Sequence, residues 1–177
     1  MWALDTLFEF ARVGIDGVNI NTKPGSLNES FILNDVDGTW RASVRPEYYG
    51  LMMFAQAAPP GSRLLHISGA IPRRLHAWAT RAPNGQLHVL LINDSLHRTQ
   101  LVRLRVGGAS GAGMLERMTA PRSAAKSGIR LGGQEFAATT GRLAGTSNLA
   151  RVMPVGGHYA IRVPTASAAL ITLRGAP

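Results

Sequence analysis

The chain contains no cysteine, and this absence excludes several kinds of chemistry at once. Without thiols it has no disulfides, no thiolate zinc site and no cysteine nucleophile.

No apolar run approaches the roughly 18–20 residues that a membrane-spanning helix needs, so we expect no membrane partner. No signal peptide is recognisable, because the first residues already follow the pattern of an amphipathic helix. The compartment stays open, and a periplasmic or secreted location is compatible with these residues.

Lysine is nearly absent as well, since only Lys23 and Lys126 are lysines among 19 basic residues. This bias towards arginine is typical of a GC-rich, bacterial-like genome. The charge is also uneven: residues 1–50 carry a net charge of −3 and residues 51–177 a net charge of +12. The guanidinium group of arginine matches carboxylate and sulfate groups, so an anionic partner is a candidate. Nucleic acid is not predicted, because the sequence lacks a basic helix, a Gly–aromatic strand motif and zinc-finger spacing.

The first third of the chain has the pattern of a helix, a strand and a second helix. A strand is predicted over Gly17–Asn21, after a helix that ends near Gly14. The apolar face of the first helix comprises Leu4, Leu7, Phe8 and Ala11, and that of the second Tyr48, Leu51, Met52 and Ala55. Such a unit repeats in β/α barrels and in doubly wound sheets. One unit cannot bury its own strand, so the pattern predicts the last slice of a larger α/β domain.

The predicted strand carries polar side chains on one side. Val18 and Ile20 alternate with Asn19 and Asn21, and polar side chains near a barrel strand's C-terminal end suit a substrate pocket. The asparagines are candidates to hydrogen-bond a substrate, or to pack as polar residues inside a barrel. Lys23 follows and is a candidate partner for an anionic group, or a solvated loop residue. The connection Thr22–Ser43 is predicted to be a long loop, as functional loops often are.

From about residue 68 the apolar period changes from helical spacing to alternation. Leu75–Arg81 and Gln86–Asn93 flank Pro83-Asn84-Gly85, which predicts a hairpin. Leu87–Ile92 is almost continuously apolar, which predicts a central strand covered on both faces. Further strands are predicted over Leu101–Val106, Met114–Thr119, Tyr159–Val163 and Ala168–Leu173, with a turn over Gly107–Gly113. We therefore predict two parts, a terminal α/β segment over 1–62 and an antiparallel β-sandwich over 63–177.

Other polar residues have ordinary structural interpretations. Asp37-Gly38 is typical of a turn, and Trp78 is expected to pack in the sandwich rather than to stack on a sugar. Arg103 and Arg105 are expected to be solvated, with anionic glycan binding as the alternative. His76 and His88 could face each other across the hairpin, but the histidines lack the spacing of metal ligands. We expect no metal and no cofactor.

Several segments together resemble the C-terminal part of glycoside hydrolase family 79, the β-glucuronidase and heparanase-like enzymes. They cover almost the whole chain, in order: WALDTLFEFARVGIDGVNINT, RPEYYGLMMFAQAA, HVLLINDS, SGIRLGGQEF and ASAALITLRG. The resemblance implies a (β/α)8 barrel with a β-sandwich beside it. The first helix would be the seventh barrel helix, Gly17–Asn21 the eighth strand and Tyr48–Ala58 the eighth helix. The expected fold is α+β and mainly β.

The resemblance also implies retaining hydrolysis by two glutamates, an acid/base and a nucleophile. Both would lie on earlier barrel strands, so we expect no catalytic residue in these 177 residues and no activity from them alone. Asn21 stands where the family often has a histidine, and Gly25 follows as a glycine of the pocket wall. The resemblance implies that Asn19 and Asn21 would bind sugar hydroxyls or a carboxylate, and that Lys23 would pair with a uronate carboxylate. The expected partner is the remainder of the barrel, in the same or another chain, or a second copy. The alternatives are a stand-alone module that binds acidic polysaccharide and an interaction subunit.

Overall fold

A seven-stranded antiparallel sheet lies at the centre of the chain, of which a computed structural model describes residues 1–23, 25–26 and 29–175. The elements are α1 (Trp2–Arg12), β1 (Phe31–Val36), β2 (Thr39–Val44), α2 (Pro46–Ala57), β3 (Arg63–Leu64), β4 (Leu75–Arg81), β5 (Leu87–Asn93), β6 (Gln100–Leu104), β7 (Ala109–Thr119), β8 (Arg130–Leu131), β9 (Glu135–Phe136), β10 (Leu143–Ala144), β11 (Ala150–Val152), β12 (Tyr159–Val163) and β13 (Ser167–Gly175). The order across the sheet is β11-β7-β13-β5-β4-β3, and β8 also pairs with β7. The predicted mainly β fold with two helices is confirmed.

Strand β5 is buried along its whole length. On one face Leu90 and Ile92 belong to a core shared with the two helices. On the other face Leu87, Val89 and Leu91 belong to a second core, beneath β6 and β12. The predicted central strand with both faces covered is therefore confirmed, and its near-continuous apolar sequence follows from that double burial.

The helix layer packs on the first face through α1 and α2. Phe8 is fully buried, and its ring lies 5.4 Å from Trp78 in a stacked geometry and 4.9 Å from Phe54 edge-on. The indole of Trp78 donates a 2.8 Å hydrogen bond to Asp5 on α1, so Trp78 packs in the interior as predicted. Gly14, at φ +81°, ends α1 in a Schellman motif, as its sequence position predicts.

The second face is covered by β6 and β12, which form a two-stranded antiparallel sheet. Tyr159, Ile161 and Val163 are buried and alternate with exposed residues, as the sequence pattern predicts. Arg103 and Arg105 are exposed, which agrees with the solvated interpretation. The β-sandwich is thus closed by a small second sheet rather than by two sheets of similar size.

Two predictions for the N-terminal part are wrong. Residues 17–21 form no strand, because a strand needs neighbours for its backbone hydrogen bonds and no described segment of this chain pairs with them. The predicted loop Thr22–Ser43 contains the hairpin of β1 and β2. The turn predicted at Asp37-Gly38 is confirmed, and both residues have positive φ (53° and 76°), as a two-residue hairpin turn requires.

Three further expectations need correction. The buried face of α2 is Tyr49, Gly50, Met53 and Ala57, one residue away from the predicted face. Gly50 lies against Leu4 of α1, so the face of α2 that contains Gly50 is the one packed on α1. The predicted turn over 107–113 is largely strand, since β7 begins at Ala109. His76 pairs with Ile92 rather than with His88, whose partner across the hairpin is Thr80.

Truncation of Phe8 should show how much the helix layer contributes to stability. We expect Phe8→Ala to lower the free energy of unfolding by about 3–5 kcal/mol, because it opens a cavity between α1, α2 and Trp78. The control is Trp2→Ala on the same helix, where the ring is 78% exposed and the change should stay within about 0.5 kcal/mol. Urea denaturation measures both. Equal effects of the two substitutions would contradict this packing.

Burial of His88 makes stability depend on pH. The side chain is 5% exposed, and its Nδ1 lies 3.2 Å from Oγ1 of Thr172 on β13. Among the described residues, nothing hydrogen-bonds its buried Nε2. Burial lowers the pKa of His88 below its ordinary value of 6.5. Between the folded pKa and 6.5, the unfolded chain binds a proton at His88 and the folded chain does not. The free energy of unfolding is therefore highest above pH 6.5 and decreases as the pH falls towards the folded pKa.

We expect His88→Gln to reduce this acid sensitivity. The free energy of unfolding should fall less between about pH 7.5 and about pH 5.5 than in the wild type, because one proton uptake on unfolding is removed. Urea denaturation at both pH values measures the difference, and His66→Gln at an exposed position is the control. An unchanged pH dependence in His88→Gln would show that the burial of His88 does not contribute.

Candidate functional site

Two of the four predicted binding residues line one groove. Asn19 and Asn21 border a cavity of about 550 Å³, with Met1 and Trp2 at the start of α1 and Glu47 at the start of α2. Both asparagines are exposed, on an extended stretch without regular secondary structure. Their amide groups can donate and accept hydrogen bonds, as the recognition of hydroxyl groups requires.

The other two predicted residues lie outside this groove. Asn21 turns its Oδ1 towards the backbone of Lys23 and accepts a 3.0 Å hydrogen bond from that amide. Gly25, at φ +80°, donates its own amide to Oε2 of Glu29 at 2.7 Å. The structure thus brings Asn19 and Asn21 together and places Lys23 and Gly25 on the following turn.

Sequence reasoning missed the ion pair that holds this turn. Glu29 is 9% exposed, and its second oxygen, Oε1, accepts a 3.2 Å hydrogen bond from the guanidinium of Arg45. Arg45 also donates its backbone amide to the carbonyl of Ser30, which fixes the same stretch to the start of α2. Glu29 and Arg45 lie sixteen residues apart, across a hairpin that the sequence did not reveal, so no local pattern predicts the pair.

The described lining of the groove contains one carboxylate, that of Glu47. Glycoside hydrolysis ordinarily requires two carboxyl groups on either side of the scissile bond, and the described lining does not contain such a pair.

A second groove adjoins the first and is mainly apolar; we call it the outer apolar groove. It has a volume of about 310 Å³ and is lined by Leu7, Phe10, Ala11, Ile15, Asp16, Gly17, Val18, Ile20, Leu51 and Phe54. Val18 and Ile20 line both grooves. Large apolar side chains of its lining stay exposed, with Ile15 at 46% and Val18 at 42%, and Trp2 of the first groove is 78% exposed. A cluster of this kind is typical of a surface that another element covers.

The remaining candidates do not assemble into a metal site. His76 lies 3.0 Å from Asp5 and 3.8 Å from Asp94, and it joins α1 to the sheet. In the part of the chain that the structure describes, no three His, Asp or Glu side chains cluster as metal ligands would. The helices described are all too short or too polar to cross a membrane.

Solved glycoside hydrolases share this fold. The 4-O-α-L-rhamnosyl-β-D-glucuronidase of Fusarium oxysporum 12S is 21% identical with a TM-score of 0.59, over 72% of this chain and 29% of its own. The family 51 arabinofuranosidase of Xanthomonas axonopodis pv. citri is 16% identical with a TM-score of 0.64, over 97% and 34%. The α-L-arabinofuranosidase of Thermotoga maritima is 14% identical with a TM-score of 0.65, over 97% and 37%. The chain thus spans about a third of the length of these proteins.

The family comparison is more specific than the structural one. No curated protein sequence matches the chain. The C-terminal beta domain of glycosyl hydrolase family 79 matches residues 75–170, which is more than half of the chain and includes β4 to β12 and most of the buried part of β13. The chain therefore belongs to glycosyl hydrolase family 79 and carries its C-terminal beta domain.

Proposed function

We propose that the chain is the C-terminal part of a retaining β-glucuronidase-like glycoside hydrolase. In this proposal residues 1–62 are the terminal segment of a (β/α)8 barrel, and residues 63–177 are the β-domain that braces it. The family match over 75–170 supports the enzyme class. The main observation in support of the barrel segment is the outer apolar groove, which is lined by the two helices and the extended stretch after α1.

Both sides of α1 carry apolar side chains. Leu4 and Phe8 are buried against the sheet, whereas Trp2, Leu7 and Phe10 lie towards the two grooves. Each large apolar side chain left in water costs on the order of 1.5–3 kcal/mol relative to burial. A helix between the β-domain and a barrel would bury both sides. The proposed occupant of the outer apolar groove is therefore the remainder of the barrel, in the same or another chain.

The extended stretch after α1 fits the same arrangement. Residues 15–23 are not hydrogen-bonded to a neighbouring strand among the described residues, yet Val18 and Ile20 alternate with Asn19 and Asn21. Barrel strands on either side would satisfy the backbone of this stretch and turn the asparagines towards the axis.

The proposed role of the stretch is to form one wall of a sugar pocket. Asn19 and Asn21 would hydrogen-bond hydroxyl groups, and the ammonium of Lys23 would pair with a uronate carboxylate. Gly25 would let the backbone turn there, held by Glu29. The two glutamates that perform retaining hydrolysis would lie on other barrel strands, which this chain does not supply. The name of the Fusarium protein, a glucuronidase of the same fold, is compatible with this substrate class.

Purified chain should not hydrolyse an aryl β-D-glucuronide. The physical reason is that the groove beside Asn19 and Asn21 contains one carboxylate rather than two. Release of the aryl alcohol, followed by absorbance, measures activity, and chain expressed in a host free of other glycosidases is required. The Glu47→Gln variant is the control for trace activity from the groove itself. Turnover that disappears in this variant would contradict the proposal.

A further inference from the structure

A basic cleft lies at the end of the sandwich, at the start of β4 and between β5 and β6. Its volume is about 460 Å³, and its lining consists of Pro72, Arg73, Arg74, Ser95, His97, Arg98 and Gln100. We call it the arginine cleft. It shares no lining residue with the groove beside Asn19 and Asn21, so the two are separate sites.

One wall of the arginine cleft is fixed from beneath by buried polar side chains. Asn93 is fully buried, and its Nδ2 lies 2.8 Å from the carbonyl oxygen of Arg98 and 2.9 Å from that of Pro164. Ser95 is also buried, and its Oγ accepts hydrogen bonds from the amides of His97 and Arg98 at 3.3 Å and 3.0 Å. These bonds fix the loop that carries His97 and Arg98, so this wall is preorganised.

The opposite wall is a tight turn in an unusual conformation. The amide of Leu75 donates to the carbonyl of Pro72, and the amide of Asp94 donates to the carbonyl of Arg74, both at 3.0 Å. Arg74 has a φ of +66°, which L-residues other than glycine seldom adopt. Strained residues of this kind persist where the surrounding structure holds them, and they are frequent at binding sites.

The positive charge of the arginine cleft exceeds the negative charge of the carboxylates near it. Asp94 is the nearest carboxylate, 4.0 Å from Arg74, and it is shared with His76 at 3.8 Å. Within the described residues, neither Arg73 nor Arg98 forms an ion pair. Both are exposed on opposite walls of one concavity. Guanidinium groups arranged in this way match the planar oxygens of a carboxylate or the oxygens of a sulfate.

We propose that the arginine cleft binds the carboxylate or sulfate groups of an acidic polysaccharide. The choice of a polysaccharide rests on the proposed function. The β-domain of a glycoside hydrolase would use such a cleft to bind an anionic polysaccharide at a second place, distant from the sugar pocket. Nucleic acid fits less well, because the cleft residues include no Phe, Tyr or Trp ring, the large platforms on which bases usually stack. The site is distinct from the uronate-binding wall at Lys23.

Binding of defined polymers to the full chain tests this assignment. Polygalacturonate offers carboxylates alone, dextran sulfate offers sulfates alone, and uncharged dextran and single-stranded DNA are the comparison ligands. Calorimetric titration at about 0.15 M salt limits long-range charge effects. We compare Arg73→Gln/Arg98→Gln with Arg103→Gln/Arg105→Gln, a matched pair that removes the same charge from exposed positions on and just after β6. Thermal unfolding confirms that both variants are folded.

The cleft variant should bind the preferred acidic polysaccharide at least about tenfold more weakly, because each arginine contributes charge-assisted hydrogen bonds. The β6 variant should change affinity by less than about twofold, as a distant exposed charge does. Three results would each overturn the proposal. The first is an equal loss of affinity in both variants, and the second is that neither polysaccharide binds. The third is that DNA binds through the cleft as tightly as the polysaccharide does. The two proposals fail in different experiments. Loss of polymer binding bears on the arginine cleft alone, whereas hydrolysis of the aryl glucuronide by the chain would contradict the proposed function.

Discussion

The double burial of β5 is the constraint on which the rest of the structure depends. A strand that is apolar on both faces requires a cover on each side, and here β6 and β12 supply one cover and the two helices the other. The helix layer is therefore part of the same folded unit as the sheet. The helices α1 and α2 also carry apolar side chains on their outer side. The proposed barrel would bury these side chains as a further layer.

Where local pattern and tertiary contact agree, the sequence predicted the fold well. The β4–β5 hairpin, the alternation along β12 and the C-cap at Gly14 depend on residues close together in the chain, so their signals are strong. The strand predicted over 17–21 is not formed because a strand must pair with a neighbour, and no segment among the described residues pairs with it. The predicted buried face of α2 was wrong because the face that packs on α1 includes Gly50, a residue that gives no hydrophobic signal in the sequence.

The candidate sites were predictable only in part, and for a similar reason. Asn19 and Asn21 could be selected because alternation along one short segment places them on one side. The Glu29–Arg45 pair and the arginine cleft could not, since each joins segments that are distant in sequence and meet only after hairpins close. Arg73 precedes β4 and Arg98 follows β5, and they meet because the hairpin pairs Leu75 with Asn93. Charge composition alone gave no reason to group them rather than Arg103 and Arg105.

The most direct test of the central claim is the association state of the chain, measured by light scattering over a range of concentrations. If the outer apolar groove is a covered surface, the chain should self-associate when its partner is absent, and Val18→Asp should weaken association at least about fivefold by placing a charge in the groove. Val155→Asp, at a residue 78% exposed outside the groove, should associate as the wild type does. A wild-type chain that stays monomeric at every concentration would contradict the account.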